Sequence, residues 1–313
     1  MSEDRILITG ASGFLGRALI QELQQFTHSK SYSLFTLSRS ELKISGVNHA
    51  SINLENRSEI ATYIKEVRPT MVYHLSGLSK VSNAISFKDY FMSNYLQTRN
   101  LIDSLDLISE QTKILLASSV HVYGNQKVAV SEESGIHPQS AYAFSKYLSE
   151  ECLRNFTKKG EKRQSVVTRL STCFGPGQAL GFVASDFAHK VKEAKLKKLK
   201  KITTGPLHSF RQFMDFRDVA RAFKLMMEHD QRVPFEIYNL ASPHKTSIQS
   251  LLNELLALAK IDVIVESHQT GDNSFLGLDI PATQFHSKWP NFTFRPLKQT
   301  LSEIWELSQK AAS

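Results

Sequence analysis

Tyr142 and Lys146 stand four residues apart in Ala141-Tyr142-Ala143-Phe144-Ser145-Lys146, a stretch that opens a helix running to about Lys158. At that spacing both side chains lie on one helical face. A lysine ammonium beside a phenol favours the phenolate and lowers its pKa. Such a tyrosine is a usable proton donor or acceptor near neutral pH. Ser119, just past the apolar run Lys113–Ala117, offers a hydroxyl to the same substrate oxygen. Alone, a Tyr and a Lys at this spacing are a common feature of solvated helix faces. The weight of the pair comes from the rest of the chain.

The first sixteen residues supply what the pair would work beside. Arg5–Thr9 reads as a short buried strand and runs into Gly10-Ala11-Ser12-Gly13-Phe14-Leu15-Gly16. An amphipathic helix follows, with Leu15, Ala18, Leu19, Leu23 and Phe26 at helical spacing. Gly10 permits the tight turn, Gly13 lets the backbone approach a pyrophosphate, and Gly16 lets the helix pack on the strand. The first N–H groups of that helix then face the anion. A second strand, Tyr32–Leu37, ends at Ser38-Arg39-Ser40. In a dinucleotide fold an acid at this strand end binds the ribose 2′-hydroxyl, whereas an arginine accommodates a 2′-phosphate. The arginine without an acid points to NADP(H) rather than NAD(H), unless Arg39 is merely a surface side chain.

The elements that must position these groups alternate regularly. Ala50–Leu54 is a third strand with Asn53 facing the adenine, followed by a helix at Arg57–Val67 and a strand at Thr70–Leu75. A long helix from Phe87 to Leu105, with apolar residues enough for more than one face, precedes the fifth strand at Lys113–Ala117. Ser165–Leu170 is a sixth strand. Further on come a helix over Phe182–Leu199, a strand at Phe235–Leu240, and helices over Ile248–Lys260 and about Leu297–Gln309. This alternation predicts an α/β fold, a Rossmann-type doubly wound parallel sheet with a smaller mixed substrate-binding lobe. The expected division is 1–171 plus about 209–241 for the dinucleotide domain, and 172–208 with 242–313 for the lobe.

Bulk properties agree with this. At 313 residues the chain exceeds the size at which single cores usually stop growing. Its 41% hydrophobic and 22% charged content is that of an ordinary globular protein. No stretch is apolar enough for a bilayer span, so no membrane association is expected. Met1–Asp4 carries no basic-then-apolar leader pattern, and the two cysteines, Cys152 and Cys173, are far apart. A reducing, cytoplasmic setting is expected. No metal site is expected. Part of the net charge of +8 sits in one run: Lys190, Lys192, Lys195, Lys197, Lys198, Lys200 and Lys201. Such a run is either a nucleic-acid or membrane patch or a solvated helix end. Without interleaved aromatics for stacking, no nucleic-acid partner is expected.

These residues together resemble the extended short-chain dehydrogenase/reductase family of nucleotide-sugar enzymes, the NAD-dependent epimerase/dehydratase family. The resemblance rests on TGASGFLG at Thr9–Gly16, HLSGLS at His74–Ser79, Asn94 in the long helix, SSVHVYG at Ser118–Gly124, and the Tyr142–Lys146 pair. It covers nearly the whole chain. The nearest likeness within the family is to bacterial reductases of GDP-4-keto-6-deoxy-D-mannose, through LSRS at Leu37–Ser40, GPGQALGFVASDFAHK at Gly175–Lys190 and RQFMDFRDVARAF at Arg211–Phe223. The resemblance implies a catalytic set of Ser119, Tyr142 and Lys146. It implies NADP(H) contacts from Gly10, Gly13, Phe14, Leu15, Gly16, Ser38, Arg39, Asn53, Leu54, Leu75, Ser76 and Gly77, joined by Tyr142 and Lys146. It implies substrate contacts from Ser79, His121, Thr172, Val183, Lys190 and Arg211, with Arg211 on the diphosphate. Relatives pair through the long helix and the Tyr142 helix, so a homodimer is implied as well.

The departures matter. Related 4,6-dehydratases carry a carboxylate just after the triad serine or threonine, where this chain has Val120 and His121. Dehydration is therefore not expected, and His121 is either a substrate-positioning neighbour or an acid/base in its own right. Thr172 replaces the usual Asn, Asn53 the usual Asp after the third strand, and Gln212 the Asp after the lobe arginine. The family's Arg-Pro-Ser-Glu segment has no clear match in Gln269–Phe275. The expected activity is NADPH-dependent reduction of the 4-keto group of a nucleotide-linked 6-deoxyhexose. The alternatives are an epimerase with tightly held NAD(P) and a catalytically silent dinucleotide-binding regulator.

Overall fold

The computed structural model describes residues 4–25, 32–82, 84–231, 233–268 and 277–310. In chain order the first half comprises β1 (Asp4–Thr9), α1 (Phe14–Gln24), β2 (Tyr32–Ser38), β3 (Val47–Ser51), α2 (Arg57–Val67), β4 (Met71–His74) and α3 (Phe87–Tyr90). A π-helical segment (Phe91–Leu96) joins α3 to α4 (Gln97–Leu105), and β5 (Thr112–Ser119), a 3₁₀ turn (Val120–Tyr123), α5 (Ala141–Thr157) and β6 (Arg163–Leu170) follow. The second half holds β7 (Thr172–Phe174), α6 (Val183–Lys197), β8 (Lys201–Thr204), β9 (Phe210–Arg211), β10 (Phe213–Asp215), α7 (Phe216–Glu228) and β11 (Phe235–Leu240). It closes with β12 (Thr246–Ser247), α8 (Ile248–Ala259), β13 (Ile264–Ser267), α9 (Thr283–Lys288) and α10 (Leu297–Lys310).

The central sheet has the order β11-β6-β5-β4-β1-β2-β3. The pairs β1–β2, β1–β4, β2–β3, β4–β5 and β5–β6 are parallel. Chain order reverses between β1 and β4, and in such sheets the crevice beyond the strand ends at that point takes the ligand. This is the Rossmann-type doubly wound arrangement that the alternation predicts. Strand β5 is buried along its whole length, as a strand covered on both faces must be. Its one ionic side chain, Lys113, is turned to the end of α7 and donates to the carbonyls of Met226, Met227 and His229 at 3.0, 3.0 and 2.6 Å. An ammonium there meets the negative end of the helix dipole.

Local chemistry sets the helix ends. Asn56 caps α2 by accepting from Glu59 N, and Arg68 closes it in the left-handed region before Pro69. Ser140 caps α5 by accepting from Ala143 N. The expected long helix exists from Phe87 to Leu105, but its middle widens into the π form, which side-chain periodicity does not reveal. The third strand lies at Val47–Ser51, three residues earlier than the apolar run Ala50–Leu54 suggested. Its pairing with β2 runs from Leu34–Val47 to Ser38–Ser51, which leaves Asn53 and Leu54 in the loop beyond the strand.

The chain divides into two compact units, residues 1–124, 134–170 and 219–238 in the first and 125–133, 171–218 and 239–313 in the second. This differs from the expected division at 125–133, 171, 209–218 and 239–241. The reason lies in pairing: β9 pairs with β12 and β10 with β7, all in the second unit. The second unit has its own core, in which Phe187 and Val191 of α6, Leu251 and Leu255 of α8, and Leu301 and Trp305 of α10 cluster. Asp215 is buried there, held by Arg217 at 2.8 and 2.7 Å and by the Thr300 hydroxyl at 2.7 Å. The strand pairs β7–β10, β8–β13 and β9–β12 were not foreseen, because each has only two to four residues.

The basic run belongs largely to this unit's internal structure. Lys190 donates to Thr203 O at 2.9 Å, Lys192 to Ser308 O, Lys197 to Glu193 at 2.7 Å and Lys201 to Glu266 at 3.1 Å. Lys195 lies 5.7 Å from the Trp305 ring centre. No described helix is long and apolar enough to cross a membrane. Phe26 and Gln269–Phe275 lie outside the described residues.

Candidate active site

The turn after β1 is built as the glycine spacing requires. Gly10 has φ +69° and donates to Leu37 O at 3.1 Å, while Gly13 N donates to Gly10 O at 2.9 Å. A side chain at Gly10 would come within 2.7 Å of Ser76 N, and one at Gly16 would overlap the Gly10 carbonyl. The turn therefore sits against the loop after β4, and α1 sits against the turn. Gly13 is the N-cap of α1, which has no side-chain cap and no acid in its first turn. That leaves a helix N-terminus suited to an anion.

A cavity of about 200 Å³ opens at this point, walled by Gly10, Gly13, Ser38, Arg39, Asn53, Leu54, Leu75, Ser76 and Gly77 among the expected cofactor residues. Phe14, Leu15 and Gly16 lie in the first turn of α1, outside this wall. The sequence reading missed Ser12, Ser40 and Gln97, which line it too. Ser12 was legible within the glycine turn and Gln97 three residues after Asn94. At the far end, Ser38 Oγ donates to Ser40 O at 2.9 Å, and His49 bridges Thr36 Oγ1 and Ser40 O at 2.9 and 3.1 Å. Arg39 is exposed on the turn so held. A glycine cradle, an uncapped helix end and a cationic distal turn fit a nicotinamide dinucleotide.

The candidate proton-transfer groups lie in the same unit. Ser119 ends β5 and accepts from His121 N at 3.2 Å, capping the 3₁₀ turn. Its hydroxyl and that of Tyr142 share a hydrogen bond. Tyr142 and Lys146 are both buried on α5. The His121 and Tyr90 rings stand edge-on to Tyr142 at centroid distances of 5.9 and 5.8 Å. The Tyr90 hydroxyl is fixed by Lys80 O at 2.7 Å and Ser82 N at 3.0 Å. Asn94 donates to Leu78 O at 3.3 Å and to Ser145 Oγ at 2.8 Å.

One expectation is corrected here. Tyr142 is not lowered by Lys146. Burial pushes the phenol up to about 12, and the Ser119 hydrogen bond draws it back only in part. Lys146 instead donates to Ala117 O at 2.9 Å. Burial brings Lys146 down to about 8, against the pull of the Glu150 carboxylate. Tyr142 is thus protonated at neutral pH.

The remaining candidates are dispersed. Ser79 is exposed on the loop after β4. Thr172 opens β7, Val183 opens α6, and Lys190 is committed to Thr203 O. Arg211, in β9, donates to Phe210 O at 2.7 Å, and burial lowers its pKa. Its neighbour Gln212 explains one departure from the family pattern. Fully buried, it donates to Ser242 O and Ile280 O at 2.7 and 2.8 Å and accepts from Ile280 N at 2.9 Å. An amide can donate twice and accept; a carboxylate cannot.

Comparison with known proteins places this geometry. The chain is 28% identical over 218 residues to GDP-6-deoxy-D-talose 4-dehydrogenase of Aggregatibacter actinomycetemcomitans, covering 68% of this chain and 67% of the relative. It is 21% identical over 302 residues to UDP-glucose 4-epimerase of Mycoplasma pneumoniae, covering 89% of each. The structure of RMD from Pseudomonas aeruginosa complexed with NADPH matches with a TM-score of 0.82, 23% identity and coverage of 98% of this chain and 99% of that one, a likeness of fold. Residues 6–241 match the family described as NAD dependent epimerase/dehydratase. The chain is an extended short-chain dehydrogenase/reductase belonging to the NAD dependent epimerase/dehydratase family.

Proposed function

We propose that this protein is a cytoplasmic NADPH-dependent reductase of the 4-keto group of a 6-deoxyhexose linked to a nucleotide, with GDP as the nucleotide. One observation carries the reading: Arg39 stands on the distal cofactor turn without an acid, while Val120 and His121 occupy the place where a dehydratase needs a carboxylate. The protonated state of Tyr142 supports it, since reduction of a ketone calls for a proton donor. The name of the Aggregatibacter relative, a 4-dehydrogenase of a GDP-linked 6-deoxy sugar, agrees in position and nucleotide.

The dinucleotide, when bound, supplies the hydride. The chain's own residues do the rest. The α1 N-terminus and Gly13 would hold the pyrophosphate, and Arg39 the 2′-phosphate. The Ser119 hydroxyl orients the ketone oxygen, and Tyr142 gives that oxygen its proton as negative charge develops. The Lys146 ammonium would hold the ribose of that dinucleotide. In the second unit, Arg211 would take the substrate diphosphate, with Val183 and Lys190 near the nucleotide and Thr172 at the substrate. Phe87 is 53% and Phe144 40% exposed, with ring centres 6.2 Å apart on α3 and α5. Two such faces meeting would form a homodimer.

The test is oxidation of NADPH by the purified protein with 4-keto sugar nucleotides. Turnover is expected with the GDP-linked ketosugar, and failure with GDP-, dTDP- and CDP-linked forms alike would defeat the reading. A second reading, an epimerase, is favoured by the His121 ring against Tyr142, which offers another acid/base. It requires copurified dinucleotide and product formation without added NADPH.

A further inference from the structure

A carboxylate and a guanidinium are enclosed behind Lys146. Glu150, one helical turn past Lys146, has no exposed surface, and Arg169 in β6 is 2% exposed. Arg169 Nε donates to both Glu150 oxygens at 3.2 Å, and Nη2 donates to Oε2 at 2.8 Å. The Ser118 hydroxyl donates to Glu150 Oε1. Arg169 Nη1 donates to the Tyr123 hydroxyl at 2.9 Å, and its guanidinium lies 4.9 Å from that ring centre.

Each arm of this network ends beside a member of the proton-transfer set. Ser118 is the residue before Ser119. Tyr123 closes the 3₁₀ turn that Ser119 caps. Glu150 shares a face of α5 with Lys146, four residues on. Stability alone gives little reason for such a pair, because the desolvation of two buried ions offsets most of their attraction. We propose that Glu150 is a positioning residue, counter-charged by Arg169, which keeps Lys146 in its ammonium form and fixes the strand end carrying Ser119. The proposal rests on the functional reading above only in taking Lys146 as a working residue.

The groups facing Lys146 support this assignment. From its own helix come Tyr142, which is neutral, and Glu150. From β5 comes the Ala117 carbonyl. From β4 comes His74, which burial and then Lys146 itself bring down to about 3, so it adds no charge at neutral pH. Arg169, from β6, is bonded to Glu150. The Glu150 carboxylate is the charge that opposes the loss of the Lys146 proton to burial.

The experiment is an NMR titration of the full chain with ¹³C-labelled lysine side chains, the Lys146 signal being assigned by its absence in Lys146→Met. In Glu150→Gln the Lys146 midpoint is expected about one pH unit lower, a tenfold easier deprotonation. The pH at which dinucleotide binding weakens on the alkaline side should fall with it. Glu150→Asp should restore both at least in part. Should Glu150→Gln fail to fold, Arg169→Met leaves the Glu150 carboxylate without its counter-charge and is expected to raise the Lys146 midpoint instead. A Lys146 midpoint unchanged from the native one in either folded variant overturns the proposal. Native protein that turns over no ketosugar would count against the functional reading and leave this titration to decide the role of Glu150.

Discussion

Asn94 donates from Nδ2 to the Ser145 hydroxyl at 2.8 Å, so a side chain of the π-helical segment is anchored in α5 between Tyr142 and Lys146. Ser145 passes its own proton to Tyr142 O at 2.7 Å. Asn94 lies within the π segment, and segments of this kind concentrate at functional sites. Asn94→Ala removes the donor and leaves Leu78 O and Ser145 Oγ without it. A loss of about 1–3 kcal/mol in unfolding free energy is expected, the usual cost of breaking buried hydrogen bonds. A fall in kcat larger than the rise in KM should accompany it. Urea unfolding and steady-state kinetics together check this, and an unchanged kcat would remove Asn94 from the support of α5.

Gly16 is where the first helix touches the phosphate turn. A methyl there overlaps backbone atoms of Gly10 and Ala11, which have no freedom to move aside. Gly16→Ala should therefore lose at least about 1–3 kcal/mol through overpacking, along with dinucleotide affinity. Gly205→Ala is the control, since nothing lies within 4 Å of an added methyl there. It should stay within about 0.5 kcal/mol of the native protein. Thermal unfolding with and without dinucleotide separates the two effects.

Arg39 is exposed on a turn held by Ser38, Ser40 and His49. Its loss should cost a charge-assisted contact and little structure. Arg39→Ala is expected to weaken NADPH binding about 10- to 100-fold, as the loss of about 1.5–3 kcal/mol implies. NADH binding should stay nearly constant. Fluorescence titration with both dinucleotides measures the ratio, and equal weakening of both would show that Arg39 does not read the 2′-phosphate.

Phe87 and Phe144 give the exposed aromatic pair a simple test. Phe87→Glu with Phe144→Glu places two carboxylates on the face proposed to meet a second copy. Light scattering after size exclusion should show a dimer for the native chain and a monomer for the double variant, with circular dichroism unchanged. A native monomer at micromolar concentration would refute the pairing.

The sequence made the sheet legible because its signals are local and periodic. Arg57–Val67 and Phe235–Leu240 fall where their patterns put them. The glycine turn likewise dictated its own geometry. Other features depend on partners distant in the chain. The shift of β3 follows from its register with β2. The environment of Tyr142 follows from burial by elements some fifty residues before it, among them Tyr90, and this outweighed the i,i+4 lysine on which the lowered phenol was argued. Glu150 and Arg169 lie nineteen residues apart and meet only when β6 packs on α5.

His74 offers a pH test with a fixed sign. It is 1% exposed, with Nδ1 2.7 Å from Thr9 Oγ1 and Nε2 2.9 Å from Thr98 Oγ1. Thr98 gives its own proton to Asn94 O at 2.6 Å, so its oxygen must accept from His74 Nε2–H. Nδ1 is then the acceptor of the Thr9 hydroxyl proton, and the imidazole is neutral. Burial, aided by the Lys146 charge, brings its pKa down to about 3. The unfolded chain takes up this proton near pH 6.5, so stability from the neutral ring is complete above that pH. It declines as pH falls from about 6.5 toward 3, because the unfolded state binds the proton first. At pH 5 the loss amounts to about 2 kcal/mol, from 1.36 kcal/mol per pH unit. His74→Gln should be less stable than the native protein at pH 7.5, and the gap should narrow by about that amount at pH 5. Urea unfolding of both proteins at the two pH values measures this, and a gap that stays constant would mean that His74 is not held neutral by the fold.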